Sequence, residues 1–267
     1  MLAFSKYHGC GNDFIIIEDC PQDYSLLARK ICHRTMGIGA DGLLIVTRDP
    51  CSMRIFNRDG SEAAMCGNGL RCFVRYCIDQ GLTLDAIRRI KTKAGMMKVI
   101  AITDNPFTCT LDLGKPKINP TSLGITTHLS AFHHQKLAID HQIVIVSSVR
   151  IGAIHTVLYD SNLTYSHINE LGAKICNDSI FTQQTNVDFV NVLDEHTIEL
   201  ATYERGAGVT YACGTGACAA AFIAILDGKC QSPLRVVLPY GDLLVEVNDT
   251  IRLTGDAVKI AQGYWEE

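Results

Sequence analysis

Two stretches of the chain, AAMCGNGLRC around Cys66 and TYACGTGACA around Cys213, carry the same tetrad of Cys-Gly-polar-Gly. Each stands just ahead of a run that reads as a helix. A cysteine at a helix start feels the positive end of the helix dipole, which lowers the thiol pKa and makes the thiolate accessible at neutral pH. Glycines beside it let backbone N–H groups turn toward a ligand, so each tetrad forms an anion nest suited to a carboxylate. Two such nests would place two thiols on opposite sides of one bound acid. That arrangement fits a proton leaving one face of a carbon while another arrives on the opposite face, which is stereoinversion. The α-proton of an amino acid is very weakly acidic, and removing it without a pyridoxal cofactor requires donors on the carboxylate, each worth about 3–4 kcal/mol. Thiols suit the relay because their pKa can be tuned close to the working pH. One copy of the tetrad more often serves close helix packing, and it is the second copy that favours chemistry. The competing reading is a redox pair of Cys66 with Cys213, which lacks a proximal resolving thiol.

The elements that must position these thiols are written twice. In the first half DFIIIED reads as a strand, YSLLARKICHR as a helix, and DGLLIV and MRIFN as strands before the Cys66 tetrad. Leu70, Phe73, Val74, Cys77 and Ile78 then fall on one helical face, with Gly81 placed to end the helix. RIKTKAG, MKVIAI and TCTLDLG follow as strands. From Ile143 the order recurs: IVIVSSV and AIHTVLY as strands, SHINELGAKICND as a helix, VDFVNVL and TIELATY as strands, and then the Cys213 tetrad. The helix expected from Gly216 to Leu226 is apolar nearly all round and should be buried. FNRDGSEAAMCGNG and TYERGAGVTYACGTG align without a gap, setting Asn57 nine residues before Cys66 and Glu204 nine before Cys213. This duplication predicts two similar lobes facing each other across a cleft. The boundary is expected in GKPKINPTSLG, residues 114–124, where prolines and glycines cluster.

Composition narrows the partners. The chain has 267 residues, 47% of them hydrophobic, and a net charge of −4, which supplies no basic footprint for nucleic acid. A small-molecule substrate is expected instead. No signal segment is legible at the N-terminus and the longest apolar run, Ala217 to Leu226, is too short for a bilayer, so a cytoplasmic protein without membrane partners is expected. The 12 cysteines contain no Cys-x-x-Cys pair, which argues against a zinc or thioredoxin motif, and no metal ligands are assigned. Cys32, Cys72, Cys77, Cys176 and Cys218 are expected as buried small hydrophobes. His133 and His134, in a polar connecting stretch, are read as surface residues.

The blocks HGCGNDF, GIGADGLL, FNRDGSE, MCGNGLRC, TKAG, TNVDF, YERGAG and ACGTGACA together resemble the diaminopimelate epimerase family. The resemblance runs from the first residues to Ala221 and is looser beyond. It implies an α+β fold of two pseudo-symmetric lobes, each a mostly antiparallel sheet rolled around a central helix, with the active site in the cleft between them. The lobes would be residues 1–116 and 117–255, with a final strand at about 256–267 returning to the first. It implies catalysis without a cofactor on an amino-acid substrate, interconverting LL- and meso-diaminopimelate in lysine and peptidoglycan synthesis. Cys66 and Cys213 match the catalytic thiols, His155 a histidine that assists proton movement, and Glu204 an acceptor for the substrate ammonium. Gly67, Asn68, Gly214 and Thr215 match the residues that hold the reacting carboxylate. Asn12, Asn57, Asn186, Glu204 and Arg205 match the remaining substrate contacts, Arg205 being the natural partner of a second carboxylate. A homodimer is left open.

Several positions depart from the family's pattern. Ala153 and Ile154 stand where the family writes Asn-Pro before the histidine, removing an amide that helps hold the distal end of the substrate. Thr182 and Gln184 replace a proline and an arginine, Val209 a glutamate, and Cys10 an apolar residue. Losing a buried hydrogen-bonding partner costs about 1–3 kcal/mol. The expectation is retained inversion chemistry with loosened selectivity, extending to glutamate. A non-catalytic amino-acid-binding relative is the reading from another class, and proline racemase and the phenazine-pathway isomerase are rivals within the fold.

Overall fold

The computed structural model describes residues 1–125 and 127–266. In chain order the elements are β1 (Leu2–Gly9), β2 (Asn12–Glu18), α1 (Tyr24–Ile31), β3 (Gly42–Thr47), β4 (Ser52–Asn57), β5 (Glu62–Ala63), α2 (Gly67–Asp79), α3 (Leu84–Ile87), β6 (Arg89–Thr92), β7 (Gly95–Asp104) and β8 (Phe107–Asp112). They continue with β9 (Gln135–Ile139), β10 (Gln142–Ile151), β11 (Ala153–Tyr159), α4 (Tyr165–Cys176), β12 (Asn186–Asp194), β13 (Thr197–Glu204), β14 (Gly208–Thr210), α5 (Gly214–Leu226), β15 (Leu234–Leu238), β16 (Gly241–Val247), β17 (Ile251–Gly255) and β18 (Val258–Trp265). The chain forms two compact units, Met1–Asp112 with Thr254–Glu267, and Leu113–Leu253. Residue 267, the last of the expected final strand, lies outside the described residues. No helix among the described residues is long and apolar enough to cross a membrane.

Strand pairing carries the duplication further than the sequence does. In the first unit β1 and β2 form an antiparallel hairpin, β2 pairs parallel with β3, β3 antiparallel with β4, β4 antiparallel with the short β5 and parallel with β6, and β6 antiparallel with β7. The second unit repeats this order step for step through β10, β11, β12, β13, β14, β15 and β16. The parallel steps coincide with the helices: α1 and α4 make the first crossover, α2 and α5 the second. A parallel pair needs such a crossover, whereas the antiparallel steps close with tight turns. β18 pairs antiparallel with β1, so the end of the chain belongs to the first unit's sheet.

Each unit buries one central helix. α5 is buried along nearly its whole length, Ala217 through Ala221 being fully covered, which its all-round apolar sequence requires. α2 differs from its sequence expectation. Leu70, Phe73, Val74 and Cys77 are buried as the spacing predicts, yet Arg71, Cys72 and Tyr76 on other faces are buried too, and Ile78 only partly. The sheet wraps the helix, so its polar residues must find partners inside. Arg71, fully covered, donates from Nε to the carbonyl of Asp256 at 2.9 Å and from Nη2 to the Cys10 sulfur at 3.6 Å. Tyr76 OH donates to Glu18 at 2.8 Å. α1 and α4 pack on the outer faces of their sheets, over cores that include Ile15, Leu27, Ile31, Leu43 and Ile45 in one unit and Leu158, Ile168, Ile175 and Phe189 in the other. Cys32, Cys72, Cys77, Cys176 and Cys218 are buried, as expected.

Three differences from the sequence reading concern boundaries and surface. α5 begins at Gly214 rather than Gly216, because Cys213 itself caps it. β1, β9 and the short β5 and β14 were not legible, their sequences lacking a clean period-2 alternation. His133 and His134 lie at the surface, half-buried and exposed respectively, but both meet the covered carboxylate of Asp227.

Candidate active site

Both tetrads are helix starts, and in both the cysteine is the N-cap residue. Cys66 has extended backbone at φ −140° and ψ 124°, and its Sγ accepts from the N–H of Gly69 at 3.5 Å. Cys213 has φ −121° and ψ 106°, and its Sγ accepts from the N–H of Gly216 at 3.4 Å. Sulfur is a weak acceptor, and serine, threonine, aspartate or asparagine would cap better. Cysteine at both caps is therefore poor helix design, which points to a use for the thiol. The first-turn amides of each 13-residue helix, at Gly67 and Asn68 and at Gly214 and Thr215, have no intrahelical acceptor by construction and lie at the positive end of the dipole.

In the first unit the Cys66 thiol donates to Asn12 Oδ1 at 3.7 Å, and Asn68 Nδ2 donates to the same oxygen at 3.4 Å. Asn12 opens β2 and is held from behind, its Nδ2 donating to Asp41 Oδ2 at 2.8 Å. Asp41 and Asp13 share Arg34, which grips Asp13 through both nitrogens at 2.8 and 2.7 Å and Asp41 at 2.7 Å, while Lys6 lies 3.0 Å from Asp13. Burial acts to raise the Asp13 carboxyl, but Arg34 and Lys6 outweigh it and hold the group below its ordinary value. Asn57 stands apart from this set: it is the exposed last residue of β4, donating to Ser61 Oγ at 3.0 Å.

The second unit surrounds its thiol with different groups. Cys213 is 6% exposed, with Thr215 Oγ1 at 3.5 Å from its sulfur. Thr215 Oγ1 lies 2.9 Å from His155 Nε2, and His155 Nδ1 lies 2.7 Å from Asp188 Oδ2. Asp188 Oδ1 accepts from Thr202 at 2.8 Å, and both Asp188 and His155 are fully buried. Asn186 binds the set from one side, its Nδ2 3.4 Å from His155 Nε2 and its Oδ1 accepting from the Arg205 N–H at 2.9 Å. The parallel register of β11 on β12, His155 opposite Asn186 and Val157 opposite Asp188, brings these side chains to one face. His155 thus reaches the thiol through Thr215 rather than directly.

Electrostatics single out Cys213. Desolvation pushes its thiol well above the usual value, the charges of Glu204 and Asp188 push the same way, and the contacts with Thr215 and the Gly216 N–H only partly offset them. Glu204 is itself raised, by burial first, against the opposing hydrogen bonds of Thr210 and Cys213 and the charge of His155. Its carboxylate accepts from Thr210 Oγ1 at 2.6 Å. Arg205 is exposed, with Nη1 donating to the Gln183 carbonyl at 2.6 Å.

Asp188, Thr202 and the Asp13–Arg34–Asp41 cluster were missed in the sequence. A signal was present: Asp188 is a lone charge inside the apolar run of β12, two residues from Asn186 and so on the same face. The departures also find places. Ile154 is packed in the unit's core, Thr182 Oγ1 donates to the Gly124 carbonyl at 2.7 Å, and Gln184, at φ 56°, donates to Asn177 Oδ1 at 2.7 Å. Val209 packs against the same core. Cys10, at φ 51°, is fully buried against Arg71.

Comparison with known proteins is in keeping with this arrangement. The chain matches the sequence profile described as diaminopimelate epimerase over residues 4–119 and 147–260. It is 40% identical over 270 residues to the diaminopimelate epimerase of Caldanaerobacter subterraneus subsp. tengcongensis, covering 98% of each chain. With that of Acetivibrio thermocellus the identity is 36%, again over 98% of each. Among solved structures, a probable proline racemase from Agrobacterium radiobacter K84 superposes with a TM-score of 0.70 at 14% identity, over 100% of this chain and 93% of that one. A Bacillus anthracis phenazine biosynthesis protein of the PhzF family gives 0.67 at 15% identity, over 98% of each. These two share the fold.

Proposed function

Since the chain belongs to the diaminopimelate epimerase family, we propose that it interconverts LL- and meso-diaminopimelate by two-thiol proton transfer at one α-carbon. The observation that carries this reading is the pair of cysteine N-caps, Cys66 and Cys213, on corresponding helices of two units with the same strand pairing. One thiolate removes the α-proton and the other thiol delivers a proton to the opposite face. The amides at Gly67, Asn68, Gly214 and Thr215 bind the carboxylate on which negative charge develops, each donor worth about 3–4 kcal/mol in the transition state.

Burial and the charges of Glu204 and Asp188 push the Cys213 thiol up, which favours Cys213 as the acid in one direction. A two-base scheme then leaves Cys66 as the base in that direction. For the reverse direction Cys213 must lose its proton. The substrate ammonium, received by Glu204, would cancel the charge that opposes this. Thr215, His155 and Asp188 hold the sulfur's hydrogen-bonding partner in position, while Asn12 and Asn68 do so for Cys66. Arg205, Asn57 and Asn186 are assigned to the rest of the substrate. Both thiols must remain reduced, which fits a cytoplasmic setting.

The deciding experiment follows solvent deuterium into the α-carbon of LL-diaminopimelate. Wild type should exchange, and Cys66→Ala and Cys213→Ala should each lose inversion. No exchange by wild type would reduce the chain to an amino-acid binder.

A second reading, relaxed selectivity extending to glutamate, is favoured by the distal positions. Ala153 supplies no side-chain donor, Ile154 is committed to the core, and Gln184 is engaged with Asn177. Turnover of L-glutamate measured beside LL-diaminopimelate as kcat/KM tests it, and no detectable glutamate turnover removes it.

A further inference from the structure

At the far end of α5 from Cys213, a second cluster of reactive side chains gathers on one carboxylate. His133 Nε2 lies 2.6 Å and His134 Nε2 3.1 Å from Asp227 Oδ1, with the two rings stacked at 4.0 Å between centroids and 21° between planes. Neighbouring residues in extended chain point to opposite sides. His134 departs from that geometry, with φ at 50°, and its ring comes back beside that of His133. The Asp227 side chain is 2% exposed, and its other oxygen is anchored by the Tyr159 hydroxyl, which donates to Oδ2 at 2.6 Å.

The position of this carboxylate is conspicuous. Asp227 is the C-cap of α5, where the helix carbonyls already present partial negative charge and an acidic side chain has the wrong sign. Lys229, the nearest lysine in sequence, is engaged over the Tyr159 ring at 4.8 Å. What faces the carboxylate is two imidazoles, which are ordinary metal ligands.

We propose that His133, His134 and Asp227 form a site for one divalent cation of the zinc class. Two imidazole nitrogens and a carboxylate oxygen suit such an ion better than magnesium or calcium, which prefer all-oxygen shells. The three donor atoms lie within 4.8 Å of one another. Bonds of about 2.0–2.2 Å in a tetrahedron set ligand atoms about 3.3 Å apart, so small ring shifts suffice. Side-chain exposures of 33% for His133 and 54% for His134 leave a side open for water as a further ligand. The ion ties the segment ahead of β9 to the C-terminal end of α5 and, through Tyr159, to β11. It lies about 20 Å along the helix from the capping thiol, given 13 residues at 1.5 Å each.

The test strips the full chain with a chelator and titrates Zn²⁺, then Co²⁺, by calorimetry and absorption. One equivalent of zinc should bind and raise the melting temperature. His134→Gln, at an exposed side chain, should keep the melting temperature of the metal-free protein while losing at least tenfold in zinc affinity, and the double variant His133→Gln/His134→Gln should lose the site. The cobalt form should show ligand-field bands without thiolate-to-cobalt charge transfer, unchanged in Cys213→Ala. Absence of stoichiometric binding overturns the proposal and leaves plain imidazole–carboxylate hydrogen bonds. Binding that survives the double variant, or a charge-transfer band that marks cysteine ligands, overturns it equally.

Discussion

Cys66 and Cys213 sit at the same place in duplicated units, yet the groups behind them differ in how their charge is balanced. Behind Cys66, Asn12 leans on Asp41, and both Asp41 and Asp13 are answered by Arg34 and Lys6. Behind Cys213, Asp188 and Glu204 have one imidazole and two threonine hydroxyls among them. The first set is partly open, Arg34 being 45% exposed, whereas His155 and Asp188 are fully covered. Duplication therefore preserved the helix cap and the backbone nest while the supporting shells diverged. On the Cys213 side, burial and the charges of Glu204 and Asp188 push the thiol up.

The strongest way to probe this comparison is at the sulfurs. Cys66→Ser and Cys213→Ser should each lower kcat by about 10²–10⁴-fold. Serine is the better N-cap, so neither variant should melt earlier than wild type. A serine variant that melts clearly earlier would mean the sulfur is there for packing.

Next come the supporting carboxylates. Asp188→Ala strands His155 Nδ1 and Thr202 in a covered site and should cost about 3–5 kcal/mol. Asp13→Ala leaves Arg34 and Lys6 able to rehydrate and should cost only about 1–2 kcal/mol. Urea denaturation of the two variants side by side measures the contrast, and equal losses would erase the distinction between a closed and an open shell.

Corresponding glycines sharpen it further. A Cβ on Gly216 would meet Asp188 Oδ1 at 2.5 Å, so Gly216→Ala should cost about 1–3 kcal/mol and disturb activity with it. A Cβ on Gly69 finds its nearest atoms, in Leu44 and Phe14, at 3.4 Å. Gly69→Ala should be neutral or stabilise by up to about 1 kcal/mol from helix propensity. Thermal melts of both variants check the asymmetry.

The smallest effect is in the pH dependence, where the two sides run in opposite directions. Glu204 is raised from 4.5 in the folded chain, so its contribution to stability is complete below 4.5 and is lost as pH climbs through its folded value. Glu204→Gln should therefore gain on wild type as pH rises. Asp13 is lowered from 3.8, so its contribution is present above 3.8 and is lost as pH falls through its folded value. Asp13→Asn should gain on wild type only in acid. Denaturation curves of both variants over a pH series test the two signs.

The sequence by itself carried a good deal. Cysteine-glycine tetrads ahead of apolar runs fix the helix starts, because capping and periodicity are local, and the gapless alignment of the two halves exposes the duplication. The relation of His155 to Asn186 was half legible, since Asn186 sits in a block that carries the family resemblance and His155 matches a family histidine although the two residues before it depart from the pattern. Their partners were not. Asp188 reaches His155 across a parallel pair, Asp41 reaches Asn12 between strands and loop, and Asp227 meets His133 from a distance of 94 residues in sequence. Such contacts depend on strand register and helix docking, which burial of whole faces selects collectively and no short stretch encodes. The tertiary structure alone decided which carboxylates stand behind which thiol, and charge screened by guanidinium in one unit but confined by burial in the other is a property of that packing.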